Sequence, residues 1–333
     1  MVGVLIRVYL TRLFTYPGEP IYGLVWAQMV GCFIMGAATR TKGMLVRWSP
    51  ALNTGVTTGL CGSVTTFSSW QLLVFEQFFN TTRDDHSHFR NFLGGMSVLV
   101  STMACSVGAL RLGQMVGDEI RLAYGTYLRH ANPELDALSR IDTAQLGMVT
   151  ADVRRGWLGW NEWRPADMAL AALGVVAIIA ASVVVGVASS TRSVSIALLF
   201  GCVGTLARWR LASLNATPGH EQRGKGLSRL TADLPLGTLI ANVAGSAVLA
   251  IVYVLQTGAV VRPSAASCYV LKALADGFCG CLTTISTFVV EVTVLRPRKA
   301  ALYAAISIVA TQPFFLFVAG IYFKTAAVDY PTC

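Results

Sequence analysis

The sequence predicts an all-α integral membrane protein: two inverted four-helix repeats with broken third helices, joined by one linker transmembrane helix. Three observations predict it. Hydrophobic residues make up 54% and charged residues 13% of the 333, a balance outside the range of soluble domains. Residues 168–191 and 235–261 carry no charge at all, and each run exceeds the ~20 residues that cross a bilayer. One stretch occurs twice: residues 59–70 read GLCGSVTTFSSW and residues 277–288 read GFCGCLTTISTF, identical at six of twelve positions. That repeat packs glycines and hydroxyls into apolar surroundings, where irregular backbone is tolerated only if buried in protein or lining a cavity. It reads as a broken transmembrane helix used twice.

Taken in order, the first span is partial, over residues 1–14, with Arg7 and Arg12 in or just after its short apolar run. Those cations argue against a cleavable signal peptide. A second span covers 22–39, a third 53–79 with the Gly/Thr break inside it, and a fourth 91–115. Residues 116–165 are polar, with Asp118, Glu119, Arg121, Arg129, Arg154 and Arg155, and connect to the uncharged span 168–188. Four more spans follow near 193–211, 236–257, 266–292, again with a break, and 300–323. The domains are thus 1–115, a connector with an inverting helix over 116–191, and 192–333.

Four, one and four spans carry a topological consequence. Four spans return the chain to its starting side, so the single extra span turns the second unit over, the inverted repeat that places a site at the bilayer midplane. Charge orients it. With the loop after the fourth span in the cytosol, Arg40, Lys42, Arg47, Arg154, Arg155, Arg208, Arg210, Arg223, Lys225, Arg229, Arg296, Arg298 and Lys299 lie inside. Arg83, Arg90, Arg192, Arg262 and Lys324 lie outside, as does the C-terminus. The net charge of +9 therefore reports orientation and does not point to nucleic acid. A sequon at Asn80-Thr81-Thr82 falls on the outer side, and Asn215-Ala216-Thr217 inside.

Beyond the broken helix, residues 23–36 align with 237–250, which sets Gln28 opposite Asn242, and Gly3 to Arg7 aligns with Gly204 to Arg208. Of the eight cysteines, Cys32, Cys61, Cys105, Cys202, Cys279 and Cys281 fall in spans as small apolar residues. Their spacing predicts neither a metal cluster nor a disulfide framework. His86, His88, His130 and His220 lie in loops, and no nucleophile–base or HExxH arrangement appears, which excludes an enzyme reading. A proton-coupled exporter needs a titratable residue reachable from both sides. Asp276, Glu291 and Glu76 are the acids of the broken spans, and none matches its partner across the repeat.

The motifs GTLxxNxxGS at 237–246, GFCGxLTTxSTF at 277–288 and GTLARW at 204–209, with the diverged copies of the first two, resemble the Fluc fluoride channels in their eukaryotic two-domain form, the FEX exporters. The resemblance covers both repeats and leaves out the connector and its helix, residues 116–188. It implies a passive, selective fluoride channel of the plasma membrane, a monomeric pseudo-dimer that releases F⁻ from the cytosol down its electrochemical gradient. In such a channel hydroxyls and an amide replace water around the ion, and phenylalanine ring edges, the positive end of the aromatic quadrupole, face it.

Mapped onto this chain, the first aromatic position holds Phe67 in one unit and Ile285 in the other, and the second holds Trp70 and Phe288. The resemblance implies that each pore combines the first position of one unit with the second of the other. Phe67 then pairs with Phe288, and Ile285 with Trp70. One pore keeps its aromatic pair and its Asn242; the other is vestigial, with Gln28, Trp70 and Ile285. Ser307 and Thr311, like Ser97 and Ser101, are spaced four apart on one helix face and are expected to continue a hydroxyl track, with Glu291 as a vestibule acid. Backbone carbonyls of Gly62, Thr65, Gly280 and Thr283 are expected to hold a central structural Na⁺. Arg7 and Arg208 match the family arginine near the end of the first span.

Overall fold

A computed structural model describes residues 1–81, 87–131, 165–187, 191–215, 234–257, 263–322 and 333. Residues 132–164 of the expected polar connector, the end of the Asn80 sequon and that of Asn215 lie outside these. The first unit contains α1 (Val2–Phe14), α2 (Gly23–Arg40), the short α3 (Lys42–Trp48) and the broken third helix. This last is built from α4 (Pro50–Thr54), a π-helical stretch Gly55–Cys61, α5 (Gly62–Val64) and, past the break, α6 (Phe67–Phe79). The fourth helix, α7 (His88–Ala131), continues well beyond the expected end of its span, so His88 and His130 are helical. That extension carries Asp118, which sits 3.4 Å from Arg40 and 3.6 Å from Arg121.

The linker α8 (Pro165–Val187) buries only Ala181 among its residues. A helix apolar on every side and packed on almost none has lipid as its solvent, which is why it carries no charge beyond Asp167 in its first turn. The second unit repeats the first: α9 (Arg192–Leu211), α10 (Leu236–Gln256), then α11 (Ala265–Lys272), a π stretch Ala273–Cys279, α12 (Gly280–Leu282) and α13 (Ser286–Val294). It ends in α14 (Pro297–Phe314), with Pro313 inside it, running into a π turn Phe315–Gly320. Proline supplies no N–H to the helical ladder, and the turn loosens just after it.

Six helices among the described residues are long and apolar enough to cross a membrane, and the chain is a multi-pass membrane protein. The other three expected spans, α1, α2 and the α4–α6 assembly, are shorter or interrupted, and they pack against the six. The α2–α7 seam is made of small residues: a Cβ on Gly36 would strike the Leu110 carbonyl, and one on Gly113 the Phe33 carbonyl. Such contacts let two backbones close up where lipid supplies no hydrophobic drive. The same spacing recurs across the repeat. Gly3 rests on residues 60–64 as Gly204 rests on 278–282, and Gly31 meets Thr65 as Gly245 meets Thr283.

One expectation is corrected here. Cys268, at the start of α11, forms a disulfide with Cys333, 65 residues on. Cysteine spacing predicted no disulfide, because a single long-range pair leaves no framework pattern to read.

Candidate anion pathway

Both third helices break at a Thr-Thr pair. Thr65 (φ −94, ψ 151) and Thr66 (φ −145, ψ 128) are extended between α5 and α6, and Thr283 (φ −89, ψ 155) follows α12. Branched side chains tolerate this backbone, and their hydroxyls replace the lost ladder bonds. They do so across the molecule. The Thr283 hydroxyl accepts from the N–H groups of Phe67 and Ser68, each at 3.1 Å, and the Thr65 hydroxyl accepts from those of Ile285 (3.3 Å) and Ser286 (3.1 Å). Each half-helix thus has its orphan N-terminal donors capped by the opposite unit.

The two amides fix the breaks from behind. Asn242 Nδ2 donates to the Thr284 carbonyl at 3.3 Å, while its Oδ1 accepts from the Thr284 N–H at 2.9 Å. Gln28 makes the same pair with Thr66, at 2.7 and 3.2 Å. Both side chains are fully buried. Here Asn242 clamps the break of its own unit, and Gln28, one methylene longer, performs the same task.

Arg7 and Arg208 are also buried. Arg7 Nη1 donates to the Gly280 carbonyl at 2.5 Å, and Nη2 donates to the Asp276 carbonyl. Arg208 Nη2 donates to the Thr58 carbonyl at 2.5 Å, and its guanidinium lies directly over Gly62. These carbonyls belong to the C-terminal part of the first half of each broken helix, toward the negative end of its dipole, where a cation is stabilising. The arginines therefore belong to the interior and do not reach for the interface. They also bear on the expected Na⁺. The Gly280 carbonyl already serves a guanidinium and the Arg208 guanidinium lies over Gly62, so two fixed positive charges oppose a cation at these two positions. Thr65 and Thr283, whose carbonyls leave the helix at the extended breaks, fit one better.

The aromatic positions meet at the centre. The Phe67 and Phe288 rings lie edge to face, with centroids 5.3 Å apart at 74°. Phe67 also meets Trp70 edge-on at 5.2 Å and 87°, and Phe288 lies 5.3 Å from Tyr303. All four, with Ile285, are buried in one cluster. Trp70 Nε1 donates to the Val98 carbonyl of α7 at 3.2 Å, which holds the indole across the space between α6 and α7.

On α14, Tyr303, Ser307 and Thr311 form a buried file at four-residue spacing. The Ser307 hydroxyl donates to the Tyr303 carbonyl at 2.8 Å, and that of Thr311 is within reach of the Ser307 carbonyl and of Gln71 Oε1. At the inner end the Glu291 carboxylate accepts from Thr238 (2.6 Å), Asn215 (3.2 Å) and the Tyr303 hydroxyl (2.7 Å). Ser97 is a correction: it is exposed on α7, because the glycine seam with α2 sets the rotation of that helix. The Ser101 hydroxyl oxygen is buried, as expected, without a hydrogen-bond partner, and the buried Thr102 and Ser106 were not anticipated. Sequence reasoning also missed Tyr303 and Gln71. Each lies four residues from a residue it did select, Ser307 and Phe67, and that periodicity was the available signal.

The family described as CrcB-like protein, Camphor Resistance (CrcB), matches residues 1–110 and 195–321. The chain is 27% identical to Fluoride export protein 1 of Candida albicans, over 98% of this chain and 78% of that one. It is 27% identical to Fluoride export protein 1 of Saccharomyces cerevisiae, over 100% and 93%. A third of the chain is 34% identical to the Fluoride-specific ion channel FluC 1 of Staphylococcus aureus, covering 87% of that protein. No solved structure matches.

Proposed function

The chain belongs to the CrcB-like family, and on that premise we propose that it is a passive fluoride channel of the plasma membrane, letting F⁻ leave the cytosol. The observation that carries this reading is the buried Phe67–Phe288 edge pair beside the hydroxyl file Tyr303, Ser307 and Thr311. A dehydrated small anion needs donors at low dielectric. Hydroxyls can turn their protons from the helix carbonyls toward it as it passes, while a ring edge offers a positive rim. The names of the relatives, exporters and channels, support transport over catalysis.

We further propose that conduction uses this pathway alone. On the α7 side Trp70 is tied to the Val98 carbonyl and Ile285 stands where an aromatic ring would. The two fused units supply both halves of the pathway, which supports a monomeric pseudo-dimer. The sodium expectation is retained only at the Thr65 and Thr283 carbonyls. Its test is the unfolding midpoint in Na⁺ against N-methyl-D-glucamine, and an unchanged midpoint removes the ion from the account.

The test of function is efflux from liposomes holding the purified chain under an imposed potential. Fluoride is expected to leave without proton stoichiometry while chloride stays. Equal release of both halides, or none, overturns the proposal.

A further inference from the structure

Gln71 lies on α6, four residues past Phe67 and so one turn outward on the same helix face. Its side chain is fully buried, and its amide nitrogen has no hydrogen-bond partner. Buried donors are rarely left in that condition, and each exception calls for a physical reason.

The orientation of this amide follows from its neighbours. Gln312 Nε2 donates to the Gln71 backbone carbonyl at 3.2 Å, and a carbonyl can only accept, so Gln312 presents its nitrogen here. The same nitrogen is 2.8 Å from Gln71 Oε1, and the Thr311 hydroxyl is 3.3 Å from it. Gln71 therefore holds its oxygen toward α14 and turns its NH₂ away from both partners. Thr311 is the outer member of the hydroxyl file, and Phe67 belongs to the ring pair. The free donor stands where those two features meet.

We propose that the Gln71 amide is an anion-binding station of the conducting pathway, with Gln312 and Thr311 as its positioning residues. The inference rests on the channel reading above. A neutral group offering two N–H donors and no acceptor at that point suits a small anion stripped of water and repels no charge of its own. The equivalent position in the second unit is Val289, which has nothing to donate, so the station exists on one pathway only.

A structural role and a binding role predict opposite results for Gln71→Met. Losing Oε1 strands neither partner, because Thr311 keeps the Ser307 and Ile308 carbonyls and Gln312 keeps the Gln71 backbone carbonyl. The substitution also removes a buried unpaired donor. The unfolding midpoint is therefore expected to stay or rise, while fluoride efflux from liposomes, at matched incorporation, falls more than tenfold. Gln71→Glu, which presents only acceptors when ionised, is expected to fall at least as far. Gln312→Leu leaves Gln71 free to rotate and is expected to reduce efflux severalfold. Efflux within twofold of the unaltered chain for Gln71→Met, or a midpoint that drops in step with efflux, overturns the proposal. If Gln71→Met does not fold, Gln312→Leu decides it by the same criterion. A chain that carries no fluoride before any substitution fails the channel reading instead, a distinguishable outcome.

Discussion

At the scale of single residues, chemistry of similar appearance does two different jobs. Asn242 and Gln28 spend both ends of their amides on the backbone of Thr284 and Thr66, whereas Gln71 spends only its oxygen. Asn242→Ala is expected to leave the Thr284 N–H and carbonyl without the partner that fixes the break. Each unsatisfied buried group costs about 1–3 kcal/mol, so thermal unfolding should move down, and efflux with it. Phe288→Ile gives the proposed pathway the residue that Ile285 gives the other side. It is expected to abolish fluoride efflux while the fold persists. Trp70→Phe should do the reverse: it forfeits the bond to Val98, worth about 1 kcal/mol, and leaves efflux within twofold. Efflux retained by the Phe288 variant and lost by the Trp70 variant would assign the pathway to the wrong side.

The elements show why such residues could be identified in part. Two third helices that break at the same pair of threonines, each preceded by a π stretch at matching positions, are readable because duplication prints the pattern twice. Helix rotation is printed nowhere. The spacing of Ser97 and Ser101 was correct as a helix repeat, yet Ser97 is exposed, because Gly36 of α2 and Gly113 and Gly117 of α7, at the seam between the two helices, decide which side of α7 turns inward. Gly36→Ala forces a methyl group against the Leu110 carbonyl, and overpacking of that kind costs about 1–3 kcal/mol. The expected result is a lower unfolding midpoint with selectivity for fluoride retained, because conduction is proposed to use the other side.

Over the whole molecule, hydrogen bonds between the units tie the two halves together. Thr283 caps α6, Thr65 caps α13, Arg7 serves Gly280 and Arg208 serves Thr58. These bonds pass between units more than 140 residues apart in sequence. The Cys268–Cys333 bridge joins two positions that the charge distribution puts outside, the compartment in which disulfides persist. Cys268→Ser opens a loop of 65 residues and is expected to lower stability by about 2–4 kcal/mol. Reduction of the intact chain should produce a comparable shift, and no shift would detach the C-terminus from the account.

The all-α membrane class, the duplication of the units and the breaks in the third helices were legible in the sequence, because composition and repetition are what a linear string records. The Phe67–Phe288 pairing was implied by the family resemblance, and the two rings do meet. Tertiary structure alone decided which hydroxyls of α7 turn inward, that the Arg7 guanidinium serves a carbonyl expected to hold a metal while that of Arg208 lies over Gly62, and that the Gln71 amide is turned away by Gln312. Those outcomes depend on side chains meeting across long stretches of chain, and on the competition for each donor and acceptor once packing has fixed their distances.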